Sequence, residues 1–264
     1  MERKKKKDKK GETPENAGPS TPYDKLFKDK KVNTARGLMT LHQVDNKIYV
    51  EFPLRLLDKD MLYASVIQNI TDNGEGAVGE FVGRNNALRF VRRDSVLQAR
   101  IAVQVEYPAL QAYNSSGDAA IGKAQEKSSR PGIFGTYKIE AWTPDSSAVV
   151  VDMTPLFTGH SVYTNPFAPY APNAMFGFME REHNIREDRT TLKGIAAFDN
   201  NIVVTCEQGY NVDYSMMGTP IMKDVKIAVT TNKVLMLLPE EPMMPRLADR
   251  RVGVRPYMRA DFTD

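Results

Sequence analysis

From residue 47 onward, apolar and polar positions alternate in short runs. Residues 47–52 (Lys-Ile-Tyr-Val-Glu-Phe) place Ile48, Val50 and Phe52 on one face and stop at Pro53, the pattern of a half-buried strand. Residues 61–67 form a second run, closing in Asp72-Asn73-Gly74. Residues 87–91 and 96–103 flank Arg92-Arg93-Asp94-Ser95 and predict a hairpin, with a further turn at Asn85-Asn86 before it. Residues 135–142 and 148–153, separated by Thr143-Pro144-Asp145-Ser146, predict a second hairpin. Strands are expected again over 191–197, 201–207, 224–230 and 233–238, with turns at Asn200-Asn201 and Thr231-Asn232. Helical signal is sparse. Thr21-Pro22-Tyr23-Asp24 predicts one capped turn, Thr21 as N-cap and Pro22 as first helical residue. Another short helix is expected near 118–127.

The expected fold is mainly β: antiparallel, sandwich-like sheets with few short helices and extended terminal arms. Three parts follow from the pattern. Residues 1–20 read as a Lys-rich tail too polar to order itself, 21–238 as the β-rich module, and 239–264 as an extended arm rich in Pro, Met and Arg. Two stretches interrupt the strands. Residues 104–130 are small and polar. Residues 158–180 carry three prolines and several aromatics, and so long an excursion is often functional. Tyr163, Phe167, Tyr170 and Phe176 are its candidate binding surface, the alternative being that they cap an open core edge.

Charge changes the picture at one place. The chain has 264 residues, 36 basic and 33 acidic, for a net charge of +3. Residues 1–31 alone carry +5, so the body is slightly acidic and the basic excess belongs to the tail. Lysines without interleaved aromatics give no stacking platform, which ranks nucleic-acid binding last. No window is long and apolar enough for a transmembrane helix. The start, Met1-Glu2-Arg3 and a Lys run, has no apolar core of a signal peptide.

Catalytic patterns are missing from the sequence. His42, His160 and His183 are far apart, and no His-Glu-x-x-His occurs, so each histidine reads as a surface or hydrogen-bonded residue rather than a zinc ligand. The single cysteine, Cys206, sits in an apolar β run and reads as a buried inert thiol. Gly74-Glu75-Gly76-Ala77-Val78-Gly79 imitates a dinucleotide fingerprint without its strand–helix context and reads as a flexible turn. No metal or other cofactor is expected in this chain.

Several stretches together resemble a family. They are residues 22–29, Gly37-Leu38-Met39-Thr40 leading to 47–52, residues 57–62, and Val151-Asp152-Met153-Thr154-Pro155-Leu156-Phe157. The most specific is residues 234–253, with Leu238-Pro239-Glu240-Glu241-Pro242-Met243 followed by Arg246, Asp249, Arg250, Arg251, Val252 and Gly253. In this order they resemble the N-terminal, non-catalytic domains of bacterial exported zinc-dependent metalloproteases of the Met-zincin type. The resemblance implies a catalytic domain of the same parent chain as partner, with zinc held there, C-terminal to Asp264, and export with the signal peptide absent from this chain. It transfers no ligand or general base onto a residue here. Gly253 is followed by Val254-Arg255-Pro256, where the family commonly has an aromatic pair.

Two functions follow. The chain is a non-catalytic module that scaffolds or covers the protease domain, with Arg246, Asp249, Arg250 and Arg251 as candidate interdomain contacts. Alternatively it is a free-standing β-sandwich that binds glycan or protein at the cell surface through the aromatic excursion.

Overall fold

Alternation of inward and outward side chains builds the strands that line the core. In Asn201–Met216 the side chains of Ile202, Val204, Cys206, Gln208, Tyr210 and Val212 point inward and are buried, while their neighbours are more exposed. A computed structural model describes residues 21–102, 131–159, 165–167 and 179–241. Its elements in chain order are α1 (Pro22–Phe27), β1 (Val32–Arg36), β2 (Thr40–Val44), β3 (Lys47–Pro53), a 3-10 turn (Leu54–Leu56), β4 (Asp60–Ile70), β5 (Phe81–Arg93), β6 (Val96–Ile101), β7 (Ile133–Trp142), β8 (Ala148–Asp152), α2 (Thr154–Thr158), β9 (Met179–Ala197), β10 (Asn201–Met216) and β11 (Thr219–Leu237). The protein is mainly β and antiparallel with few short helices, as the alternation implies.

Among the described residues, eleven strands form one sheet in the order β1-β2-β3-β8-β7-β6-β5-β4-β11-β10-β9. Three meanders compose it: β1–β3, β4–β8 and β9–β11. The middle one returns so that β8 pairs with β3 and β4 pairs with β11.

The sheet curls until its two edges meet, a nearly closed barrel. The seam is bridged mostly by side chains. Asn46, in the β2–β3 turn, donates through Nδ2 to the Thr190 carbonyl (3.1 Å) and accepts from the Leu192 N–H (2.9 Å), so its amide imitates a ladder rung. Gln43 donates to the Leu192 carbonyl (3.2 Å). At the other end the Leu38 N–H donates to the Phe198 carbonyl at 2.6 Å. Gly37 makes that approach possible, because a Cβ there would stand 2.5 Å from the Phe198 oxygen.

One large apolar cluster fills the barrel, with Phe52, Tyr63, Phe90, Leu97, Val149, Phe157, Ile202 and Leu235 among its members. A second, around Ile67, Val82, Tyr210, Val212, Tyr214 and Val229, fills the end from which β9, β10 and β11 project. A third lies outside. Val44, Tyr49, Ala141 and Val150 are covered by Tyr23, Leu26 and Phe27 of α1. The Thr21–Asp24 capping box holds that helix as its sequence predicts, the Asp24 N–H donating to Thr21 Oγ1 and the Thr21 N–H to Asp24 Oδ2.

Three expectations are corrected. Asn85-Asn86 is no turn: β5 continues through it, and Asn86 pairs with Tyr63. Thr231-Asn232 is no turn either. β11 runs through with ladders on both sides, and Asn232 spends its side-chain oxygen on the Thr205 hydroxyl (2.8 Å). The strand expected over 191–197 begins much earlier, at Met179. Residues 180–189 are polar on both faces because only one flank is paired and most side chains meet solvent, so alternation could not reveal them. The helix expected near 118–127 and the tail lie outside the described residues.

Candidate functional site

Three clusters of polar groups stand out, each at a different place on the barrel. The first is at the mouth. The Glu75 side chain, 3 % exposed, enters from the 71–80 turn and receives three partners from the β9–β10 arm. His183 Nε2 lies 2.7 Å from Oε2, the Tyr214 hydroxyl donates to Oε1 (2.8 Å), and Arg181 Nη1 stands 3.3 Å from Oε1. Burial and the Glu75 carboxylate push the Tyr214 phenol up to about 12. Gly76 lies close to the Ile67 side chain, where a Cβ would stand 2.9 Å from Cδ1. The glycine-rich turn is thus anchored, its carboxylate neutralised by an arginine and hydrogen-bonded by an imidazole and a phenol.

The second cluster lies under α1. Glu51 Oε1 accepts from the Tyr23 hydroxyl (2.6 Å) and faces His42 Nε2 (2.9 Å), while His42 Nδ1 faces Thr34 Oγ1 (3.0 Å). Hydroxyl, imidazole and carboxylate stand in relay order. The Phe27 ring, 4.6 Å from the imidazole, and the burial of His42 close the approach a substrate would need. The arrangement fastens α1 to the barrel. Burial opposes the Glu51 charge, yet the bonds from His42 and Tyr23 hold its carboxyl below the usual range.

The third is inside. Lys233 of β11 is fully buried and donates to Gln208 Oε1 of β10 (3.3 Å), whose Nε2 donates to the Thr158 carbonyl (3.2 Å). Burial pulls the amine down to about 8. Cys206 faces the same interior. Its thiol is pushed up by burial, in keeping with an inert buried cysteine.

The projecting arm ends in an apolar tip. Met217 and Gly218 form the β10–β11 turn, with φ of 49° and 77°. Two successive left-handed residues are the geometry of a tight hairpin, where Asn-Gly is the unstrained choice. Here a methionine takes the first position and is 75 % exposed, beside exposed Met216, Ile221 and Met222. Residues 219–228 run past the β4 ladder, a reach of roughly 30 Å.

Of the candidates read from sequence, Phe167 lies against the arm. It stacks on His183 at 4.0 Å and meets Tyr210 edge-on at 4.9 Å, half-buried against the mouth cluster. Tyr163, Tyr170 and Phe176 lie outside the described residues, as do Arg246, Asp249, Arg250 and Arg251. Glu240, at the start of the 239–264 arm, pairs with Lys59. Among the described residues no three His, Cys, Asp or Glu side chains converge as a metal site, so they do not fit a zinc centre. No helix there is long and apolar enough to cross a membrane. Sequence reading missed Glu75, Glu51 and Lys233. Only Lys233 carried a signal, a charge at an inward position of an alternating run.

Fold and clusters together define an antiparallel β-barrel module whose ionisable groups mainly fasten its own parts. A family model described as a domain of unknown function, DUF5117, matches residues 82–264, and the chain belongs to that family. A second, also described as a domain of unknown function, DUF5118, matches residues 20–70. The two matched segments share one sheet: β4 of the 20–70 segment pairs with β5 and β11 of the 82–264 segment, and β3 with β8. No curated protein and no solved structure matches the chain.

Proposed function

We propose that this chain is a non-catalytic N-terminal module of an exported zinc metallopeptidase, and that it docks on the catalytic domain of the same parent through the tip of its β9–β11 arm. The carrying observation is Met217. A left-handed backbone position that suits Asn or Gly holds a methionine exposed to solvent, with Met216, Ile221 and Met222 around it. Flexible Met-rich surfaces suit partner contacts, and strain at an exposed tip fits a contact made elsewhere. The partner's identity rests on the resemblance of residues 22–29, 37–40 with 47–52, 57–62, 151–157 and 234–253 to such proteases. Arg246, Asp249, Arg250 and Arg251 would supply ion pairs across the interface, and zinc would belong to the partner alone.

The test mixes this chain with the isolated catalytic segment of its parent, followed by calorimetry and peptidase assay. Binding that M217N or I221T weakens at least tenfold, with the variants' own stability unchanged, supports the reading. No binding and no change in peptidase stability or rate at high micromolar concentration overturns it.

A further inference from the structure

Lys233 poses a problem that its described neighbours do not solve. An ammonium taken wholly out of water is costly unless a counter-charge accompanies it. Among the described residues its bonding partner is the neutral Gln208 side chain, and the titratable group that bears on it is the Cys206 thiol. By the register, the inner face around it carries Tyr63 and Ser65 of β4, Thr231 of β11, and Val204, Cys206, Gln208 and Tyr210 of β10. Burial keeps the two phenols and the thiol in their neutral forms.

Two hydroxyls share the predicament. Ser65 Oγ and Thr231 Oγ1 are buried, on residues 1 % and 0 % exposed, and neither has a hydrogen-bond partner among the described residues. The register places them together. Ser65 is directly opposite Lys233 on β4, and Thr231 is two residues along on the same face of β11, opposite Cys206. The lysine stem, reaching from position 233 to Gln208 opposite Val229, passes the Thr231 row on its way. One cation and two hydroxyls without partners among the described residues therefore share a belt between the two interior apolar clusters.

We propose that this belt is a binding site for a small monoanion of chloride size, held by the Lys233 ammonium and the Thr231 and Ser65 hydroxyls. The anion supplies the missing charge and accepts the idle hydroxyl donors. Its selectivity is for size, because the three groups that would hold it are buried. The proposal is independent of the docking function and tests separately.

Two measurements decide it. Crystals grown with bromide in place of chloride are examined by anomalous scattering; a bromide peak at hydrogen-bond distance from Lys233 Nζ is expected. Thermal unfolding is followed at pH 7 and constant ionic strength as sodium chloride replaces sodium gluconate, an anion too large to enter. The wild type is expected to gain roughly 5 °C, and Lys233→Met to gain nothing. Methionine fills the same apolar space without a charge, so this variant should fold. Water alone around Nζ, a carboxylate of the chain seated on it, or the same chloride response in both proteins would overturn the proposal.

Discussion

Glu75 and His183 meet at 2.7 Å across the barrel mouth, joining two segments 108 residues apart. This contact, with Tyr214 and Arg181 on the same carboxylate, ties the glycine-rich turn to the base of the projecting arm. Glu75→Gln removes the charge and leaves Arg181 facing a neutral amide. Because Arg181 is 40 % exposed and water can take over its charge, the cost is that of the weakened hydrogen bonds, about 1 kcal/mol. Urea unfolding is expected to show that loss, with hydrogen exchange fastest at residues 71–80 and 179–186. An unchanged midpoint would mean that the turn is held by its apolar contacts alone.

The seam depends on one side chain more than on any ladder. Asn46→Ala abolishes both rungs to β9 and leaves the Leu192 N–H and Thr190 carbonyl without that partner. A loss of about 2 kcal/mol is expected. Asn46→Asp keeps the acceptor and loses the donor, so it should fall between. Amide exchange at Leu192 reads the effect directly, since its N–H is the donor to Asn46.

Alkaline pH should unfasten both ends. Tyr23 and Tyr214 are each pushed up to about 12 by burial and by a carboxylate acceptor, Glu51 and Glu75 respectively. An unfolded tyrosine ionises near about 10. Between about 10 and 12 the folded state therefore holds more protons, and stability falls as pH rises. The contribution is complete below about 10. Double substitution Tyr23→Phe and Tyr214→Phe should shallow the slope over that interval, and the absorbance of tyrosinate should show two fewer late-titrating phenols.

Glu51 works in the opposite direction. Its carboxyl is held low in the fold, so its share of stability is present above the ordinary glutamate range and is lost as pH falls through the folded value. Helix α1 should release first on acidification. Glu51→Gln is expected to remove that acid sensitivity while costing about 1 kcal/mol at pH 7. Loss of protection in residues 22–27 as pH falls below the ordinary glutamate range, in the wild type only, is the check.

How much of this could be read beforehand differs by element. Strands with an apolar face toward the barrel core announced themselves: Ile48, Val50 and Phe52 alternate because that side meets the core, while Tyr49 and Glu51 on the other lie under α1. The Thr21 cap was legible because its chemistry is local. The seam was not, since Asn46 and Leu192 are 146 residues apart and nothing local marks either. The first half of β9 was hidden because it packs on one neighbour and faces solvent elsewhere. The buried carboxylates share that fate. Glu75 looks like any turn residue until His183, Tyr214 and Arg181 are brought to it.

Lys233 sets the last prediction. In chloride-free buffer its amine titrates near about 8 in the fold, against about 10.4 in the unfolded chain. Between these values the unfolded state binds more protons, so stability rises with pH. Below about 8 the fold carries an uncompensated buried ammonium. Lys233→Met, which has no charge to bury, should be the more stable protein at pH 7. The two should converge as pH approaches 10, above which tyrosine ionisation lowers both. Chloride is expected to flatten the wild-type rise by holding the amine protonated in the fold. A wild-type profile flat between pH 8 and 10 without chloride would mean that the amine keeps its proton by another route.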